Sequence, residues 1–359
     1  MSARCLPLDD RNGRPVVVVV AKMTYLVSPV GEATVASPQV EARLADEMND
    51  SAGPRPSIRY PSDAVADKPG TDVIFVGTAY PPLQGPGVTE LHVSVRVGHL
   101  QKSLRVTGPR TFQVSVLGAV APGPPAPLTP TPIVYELARG GYDDSDPARL
   151  VMDPTNWSGT GVARSPELLV GRRAPQIECG RAAPGGRSTP PAGFGVIAPE
   201  WSPRRELAGT YDAAWRRDRA PFRPRDFDPH HDACAHPDLH SPTPLLGDEP
   251  VEVLGATPEG VWRFRLPRYA PSFHTTELAR DATARAPARV SLEHATHLDT
   301  FLVDGDRRAV ELTWRASIPL PKKIDRLESI RIYAAPELPD PMLRELAERT
   351  AFAASEPSP

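Results

Sequence analysis

Apolar side chains are concentrated in a few short runs, and their spacing predicts strands. Pro15 to Val27 (PVVVVVAKMTYLV) is the most apolar segment, and its five consecutive valines favour a strand buried on both faces. Asp72 to Val76 is a second short run rich in β-branched residues. Glu90 to Val97 (ELHVSVRV) alternates between apolar and polar residues, which predicts a strand with one face in solvent. These patterns indicate an antiparallel meander over residues 13 to 117.

Two β-hairpins are predicted in the last third of the chain. The first joins Glu249–Leu254 to Val261–Leu266 through the sequence TPEG, where proline in second and glycine in fourth position fit a type I turn. The second joins His297–Val303 to Ala309–Ala316 through the sequence DGD.

Proline and glycine content extends this picture to the whole chain. The 45 prolines among 359 residues are more than double the usual share of about 5%. Together with 26 glycines they exclude long helices and favour short strands joined by long, ordered loops. A short helix is predicted after Asp340-Pro341 and ends near Phe352, because aspartate suits the N-cap and proline the first helical position. We therefore predict a mainly β fold with antiparallel, sandwich-like or barrel-like sheets and a short C-terminal helix.

The patterns divide the chain into four parts. Residues 1–117 form an N-terminal antiparallel β unit, and residues 118–132 form a connector with six prolines in fifteen residues. Residues 133–248 have little periodicity but many aromatic residues, which favours an ordered loop-rich region packed on the sheets. Residues 249–359 contain the two hairpins and the terminal helix.

Charge and cysteine content exclude several classes of function. The formal net charge is −3, from 41 basic and 44 acidic residues, so the chain lacks the positive field that attracts nucleic acid or an anionic membrane. Three widely spaced cysteines give no disulfide framework and favour a reducing compartment. No signal-peptide pattern or long apolar run is present, so we expect a cytoplasmic protein.

The stretch before Asp72 has an unusual mixture of side chains. Arg59, Tyr60 and Asp63 surround Pro61 and lie close to a predicted core strand. One interpretation is a rigid loop held by an ion pair between Arg59 and Asp63, and the other is a binding site. The residues favour the loop, because backbone groups beside a core strand need hydrogen-bond partners.

Potential metal ligands are concentrated between residues 230 and 240. The candidates are His230, His231, Cys234, His236 and His240. Zinc takes such ligands, but their spacing fits no two-pair finger pattern, and an ordered loop with partly buried histidines is the competing interpretation. Cys234 could act as an activated thiol only if it were exposed and ionised.

Other chemical signals are weaker. No serine stands in a nucleophile elbow, and Gly193-Phe194-Gly195 lacks the rest of a dinucleotide fingerprint, so we predict no cofactor. Arginine pairs at 204–205 and 216–217 stand beside Trp201 and Trp215 and could bind an acidic partner or form a solvated rim.

Five blocks of sequence resemble one known family. They are RYPSDAVADKPGTDVIFVGTAY (59–80), GFGVIAPEWSPR (193–204), AGTYDAAW (208–215), DFDPHHDACAHPDL (226–239) and LLGDEPVEVLGATPEG (245–260). Together they are similar to the type VI secretion effector-adaptor family, long catalogued only as a domain of unknown function. Three positions depart from the family pattern: Arg139 replaces phenylalanine, Trp157 replaces proline and Asp232 replaces asparagine.

The resemblance implies a cytoplasmic adaptor or chaperone without enzymatic activity. Such a protein binds a toxic effector and helps to load it onto the spike formed by VgrG and a PAAR-repeat protein. Protein interfaces are enriched in tyrosine, tryptophan and arginine, which points to a recognition surface in this chain. The residues predicted for it are Arg59, Tyr60, Asp63, Trp201, Arg204, Tyr211, Asp212 and Trp215. The alternatives are a metal-dependent hydrolase centred on residues 230–240 and a structural component of the spike.

Overall fold

A computed structural model describes residues 1–50, 55–82, 87–179, 191–279, 288–320 and 327–336. Within these ranges no helix is both long enough and apolar enough to cross a membrane. The helix predicted to end near Phe352 lies outside the described residues.

Strands are the main regular elements, and most of them are short. In the first part of the chain they are β1 (Ser2–Asp9), β2 (Pro15–Val27), β3 (Ala33–Val35), β4 (Glu47–Met48), β5 (Ile58–Tyr60), β6 (Thr71–Val76), β7 (Thr78–Ala79), β8 (Glu90–Val97), β9 (Leu100–Thr107), β10 (Phe112–Val114), β11 (Val120–Pro122) and β12 (Thr131–Pro132). The middle part contains β13 (Arg139–Gly140), β14 (Tyr142–Asp143), β15 (Val151–Met152), β16 (Thr160–Gly161), β17 (Ile177–Cys179) and β18 (His240–Ser241). The last part contains β19 (Val251–Leu254), β20 (Val261–Phe264), β21 (Tyr269–Ala279), β22 (Ala288–His294), β23 (His297–Asp304), β24 (Ala309–Pro319) and β25 (Leu327–Pro336).

Helical structure is confined to single turns and one short helix in the described residues. The α-helix is α1 (Ala213–Asp218), and the 3-10 turns are Tyr135–Leu137, Pro147–Arg149, Pro166–Leu169, Arg204–Leu207, Pro229–Asp232 and Pro237–Leu239. Proline stands at or next to the start of most of these turns, where its missing N–H costs no hydrogen bond.

The largest sheet combines strands from both ends of the chain. Its order is β1-β2-β24-β23-β6-β18, with β3 paired to β2. Neighbours are antiparallel except β23 and β6, which run parallel. The central valines of β2 are fully buried on both faces, as predicted from their sequence. The predicted meander over residues 13–117 is wrong, because β2 lies between β1 and β24 and β8 belongs to another sheet.

A second sheet has the order β17-β9-β8-β19-β20, and every pair in it is antiparallel. The alternation in β8 is confirmed: Val93, Val95 and Val97 are buried, whereas Arg96 is exposed. The hairpins β19–β20 and β23–β24 are also confirmed. Gly260 N–H donates to the Thr257 carbonyl at 2.9 Å, which closes the predicted turn.

Apolar side chains from both sheets meet in one core. It contains Val19 and Phe301 from the first sheet and Val95 and Leu104 from the second, together with Phe194 from the loop-rich region. The predicted mainly β fold with antiparallel sheets and ordered loops is therefore confirmed, and the described strands form no closed barrel.

The proline-rich connector lies against the rest of the molecule. Its first residues contribute β11, which pairs with β10, and its last residues contribute β12, which pairs with β7. Between them Leu128 is buried in the core. The segment is extended, and side-chain burial and strand pairing fix its course.

Candidate functional site

The stretch from Ile58 to Tyr80 belongs to the core of the molecule. Tyr60 is buried, its hydroxyl donates to the Asp304 carboxylate, and the Arg43 guanidinium lies 4.5 Å from the centre of its ring. Burial raises the pKa of both Tyr60 and Asp304. Tyr60 therefore joins β5 to the end of β23 and has no surface to offer a partner.

The predicted ion pair between Arg59 and Asp63 is wrong. Successive residues of β5 point to opposite sides, so Arg59 faces outward and pairs with Asp306, with 3.4 Å between Nη2 and Oδ2. The chain then turns inward, and buried Asp63 accepts from Lys22 Nζ at 2.9 Å and from the Arg43 backbone N–H at 2.8 Å. The loop is pinned as the structural interpretation proposed, but by partners that are distant in sequence.

One face of the largest sheet carries a buried layer of charged side chains. Lys22 of β2 lies 3.2 Å from Glu311 of β24, and Arg43 donates to both carboxylate oxygens of Glu311. Further along β24, Arg315 pairs with Asp299 at 2.5 Å. The sequence patterns above did not predict this layer, although single charged residues at alternate positions of apolar strands indicate it.

A second buried group surrounds Cys234. Lys68 Nζ lies 2.8 Å from Asp72 Oδ2 and 3.7 Å from the Cys234 sulfur, and Asp72 also bonds His240 Nδ1 at 2.8 Å. Burial raises the pKa of the Cys234 thiol to about 12, and the nearby Lys68 charge offsets this only in part. The thiol is therefore neutral and enclosed, which does not suit a nucleophile.

The candidate metal ligands turn to different partners. His230 is exposed and bonds Asp228, the ring of His231 packs against Phe227, and buried His236 caps the turn at Asp238. In the part of the chain that the structure describes, no group of three or more His, Cys, Asp or Glu residues is placed to hold a metal ion.

We predict that His236 makes the protein less stable in acid. Burial, assisted by the charge of Lys102, lowers the pKa of His236 from 6.5 to about 3. Below about pH 6.5 the His236 side chain is protonated in the unfolded chain but stays neutral in the folded protein. The free energy of unfolding therefore falls as the pH is lowered from about 6.5 towards 3. His236→Asn keeps a capping acceptor without titrating.

Between pH 7.5 and 5.0 the wild type should lose roughly 2 kcal/mol more unfolding free energy than His236→Asn. Urea unfolding at both pH values measures the difference. Equal losses in the two proteins would show that His236 does not carry the effect.

Residues 204–232, here called the arm, cross the surface between buried anchors. Arg204 at its start donates to the carbonyl oxygens of Ile197 and His231. The preceding Trp201 is fully buried and packs edge-to-face on Tyr135, with ring centres 5.2 Å apart. Trp201 therefore fastens the base of the arm to the core.

The middle of the arm is fastened to the turn between β1 and β2. Arg219 donates to the carbonyl oxygens of Arg11 and Asn12 at 2.7 and 3.3 Å. The ring of Phe222 lies on Gly13, where a β-carbon would be only 2.7 Å from the ring. A glycine is needed there for this close approach and for its φ of +75°.

The outer side of the arm presents aromatic and cationic groups to solvent. Tyr211 and Trp215 pack with ring centres 4.7 Å apart, and Asp212 caps α1 by accepting from the Trp215 N–H. Arg205 and Arg216 are exposed and form no ion pair with the residues that the structure describes. A rigid surface of tyrosine, tryptophan and arginine is typical of protein interfaces.

A separate apolar surface lies at the turn between β10 and β11. Val116 is completely exposed and Leu117 is 92% exposed in this turn, which we call the hairpin tip (residues 115–119). Large apolar residues are seldom left uncovered side by side, and such surfaces mark interaction sites.

The eight residues predicted for recognition therefore separate into two groups. Tyr60, Asp63 and Trp201 are buried and belong to the frame, which removes them from a recognition surface. The other five are at least partly accessible: Arg59, Arg204, Tyr211, Asp212 and Trp215. All of these except Arg59 lie on the arm.

The departures from the family pattern lie in two places. Arg139 and Trp157 lie in adjoining segments, since the side chain of Asn156, the residue before Trp157, donates to the Arg139 carbonyl at 3.0 Å. Asp232 is on the arm and forms a two-point ion pair with Arg223 at 2.6 and 3.2 Å. An asparagine there could not balance the charge of Arg223.

Comparison with known proteins gives a family and no closer relative. A search of curated proteins and a search of solved structures each found no match. A family model described as "Uncharacterized protein conserved in bacteria (DUF2169)" matches residues 12–315. This range runs from the turn after β1 into β24, and it includes the arm, the hairpin tip, the second sheet and most of the largest sheet. Since it spans most of the sequence, the chain belongs to this bacterial family.

Proposed function

We propose that the protein is a non-enzymatic adaptor that binds a type VI secretion effector and promotes its loading onto the VgrG/PAAR spike. The observation that carries this proposal is the arm. Its base is anchored by the buried Trp201, and its middle by hydrogen bonds from Arg219 to the β1–β2 turn. Tyr211, Trp215 and Arg216 remain available on its outer side. An anchored surface loses little conformational entropy when it binds, which favours affinity.

The chemistry of the interior also favours binding over catalysis. Cys234 is enclosed with a raised thiol pKa, and the histidines around it are committed to separate partners. The buried ion pairs join strands to one another and account for the charged side chains without a reacting group. These features support a frame that holds recognition surfaces in place.

Two surfaces of different character suit a protein that joins two partners. The arm offers cationic and aromatic groups, whereas the exposed large side chains of the hairpin tip, Val116 and Leu117, are aliphatic. An adaptor must hold an effector and also engage the spike, so we assign these two surfaces to different partners. The arm is assigned to the effector because polar aromatic surfaces discriminate between partners better than aliphatic ones.

Effector delivery and effector binding test the proposal together. Deleting the gene should abolish delivery of one effector while the secretion apparatus still fires. In binding assays with that effector, Tyr211→Ala combined with Arg216→Ala should weaken the affinity at least about tenfold, because it removes two interface-type side chains. The matched control combines Tyr333→Ala with Arg331→Ala, an exposed pair on β25 outside the arm.

Unchanged delivery after gene deletion would overturn the adaptor proposal. Recovery of the protein in the secreted fraction with the spike would instead support the structural alternative. Stoichiometric zinc or iron in the purified protein would support the hydrolase alternative.

A further inference from the structure

A cavity of about 360 Å³ lies between the arm, the β1–β2 turn and the charged face of the largest sheet. Its floor is made by buried side chains, among them Arg315 and Phe227. Exposed residues form its rim, including Arg11, Asp67 and Ala295. Its volume falls in the range of about 300–1,000 Å³ that is usual for ligand sites.

Arg315, on the floor of the cavity, has hydrogen-bond donors that no described residue uses. Its guanidinium carries five N–H groups. Nε donates to Asp299, and Nη1 donates to the carbonyl oxygens of Asp63 and Val65. No described residue accepts a hydrogen bond from Nη2, and this atom remains accessible to solvent. Because Arg315 lines the cavity, the two N–H groups of Nη2 are available to a ligand there.

The acidic residues nearby do not use these donors. Asp299 pairs with Arg315 and does not line the cavity, and Asp232 pairs with Arg223 in the wall of the cavity. Arg11 adds a guanidinium at the rim that has no ion-pair partner among the described residues. The rim also carries two carboxylates, that of exposed Asp67 and that of Asp10, which accepts from the Asn12 and Arg14 N–H groups. The cavity thus provides donors for one acceptor group, and its lining carries as many acidic as basic side chains, so it has no excess positive charge. This favours a singly charged carboxylate over a phosphate dianion.

We propose that this cavity binds a carboxylate carried by a peptide segment of a protein partner, with Arg315 Nη2 and Arg11 as the donors. That the carboxylate belongs to a protein rests on the proposed function. The arm, which borders the cavity, would contact the residues on either side of the carboxylate in that segment. A peptide C-terminus and an aspartate or glutamate side chain share this chemistry, as does a free small carboxylate.

Calorimetric titration of the full chain with five probes separates these sources. The probes are acetyl-Ala-Gly-Gly with a free C-terminus, its C-terminal amide, acetyl-Gly-Asp-Gly amide, acetate alone and inorganic phosphate. Binding of the first but not the second supports a C-terminal ligand, and binding of the third supports an acidic side chain. Binding of acetate as tightly as either peptide overturns a peptide ligand. Equal binding of the free acid and the amide, binding of inorganic phosphate in preference to carboxylates, or no binding of any probe overturns the proposal.

Substitutions at the rim connect the binding to the cavity. Ala295→Phe should fill the mouth, and Arg11→Ala should remove one donor, each weakening the tightest peptide about tenfold or more. Arg14→Ala on the same turn is the control, because Arg14 is exposed but does not line the cavity. All three sites are exposed, so melting temperatures should match the wild type. Unchanged peptide binding in Ala295→Phe overturns the assignment to this cavity.

The outcomes also separate this inference from the adaptor proposal. If effector delivery depends on the protein but no peptide binds, only the cavity inference fails. If peptides bind and Ala295→Phe blocks them while delivery does not need the protein, only the adaptor proposal fails.

Discussion

Replacing Glu311 with glutamine should lower the free energy of unfolding by about 3–5 kcal/mol. The Glu311 side chain is 1% exposed, accepts from Arg43 at 2.5 and 2.9 Å, and lies 3.2 Å from Lys22 Nζ. Glutamine keeps the size of the side chain but leaves the two enclosed cations with only Asp63 and the half-exposed Glu47 as carboxylate partners. An uncompensated buried charge is among the few causes of losses this large. Urea unfolding followed by fluorescence and circular dichroism measures the change, provided that the two transitions coincide.

Glu252→Gln is the matched control for this prediction. Glu252 also bridges two arginines, Arg96 and Arg263, but on the surface of the second sheet. Exposed pairs contribute about 0–1 kcal/mol, so this control should change stability little. Adding Lys22→Met to Glu311→Gln should recover part of the loss because it removes one of the uncompensated cations. Similar losses for Glu311→Gln and Glu252→Gln would contradict the role of the buried layer.

The pKa of Glu311 predicts how the stability difference between the wild type and Glu311→Gln depends on pH. Burial alone would raise the pKa of Glu311, but the hydrogen bonds from Arg43 and the charges of Lys22 and Arg43 lower it to about 2. The stabilisation is therefore complete above the ordinary glutamate pKa of about 4.3 and is lost as pH falls through about 2. The difference in unfolding free energy between the wild type and Glu311→Gln should therefore become smaller as the pH falls from about 4.3 to about 2.

Local sequence pattern predicted individual strands well and strand order poorly. Five valines in β2 and the alternation in β8 depend only on neighbours in sequence, and both predictions are confirmed. The parallel pairing of β6 with β23 joins residues 72–76 to residues 300–304, and no local signal encodes that contact. The meander failed for this reason, since adjacent strands in sequence were assumed to be adjacent in space.

The sequence predicted which types of residue form the candidate site, but not which of those residues are exposed. The criterion of arginine and aromatic content selected residues 204–215, which lie at the surface, but it also selected Trp201 and Tyr60, which are buried. Whether a tryptophan packs inward or outward depends on tertiary contacts such as its edge-to-face packing on Tyr135. The donors of Arg315 were missed because their availability depends on which acceptors the fold brings to them.

Leu104→Ala should cost about 3–5 kcal/mol of unfolding free energy, whereas the same change at Leu117 should cost less than about 0.5 kcal/mol. Leu104 is fully buried in β9 between the two sheets, and Leu117 is 92% exposed at the hairpin tip. Both substitutions delete the same atoms, so their difference isolates the effect of burial and of the cavity that remains in a packed core.

Urea unfolding of the two variants measures the change in unfolding free energy. If Leu117→Ala lost as much unfolding free energy as Leu104→Ala, the hairpin tip would have to be packed in solution. If Leu117→Ala keeps wild-type stability, it also becomes a tool for the adaptor proposal. Any loss of partner binding in that variant cannot come from a damaged fold, so it would report a direct contact through the apolar tip.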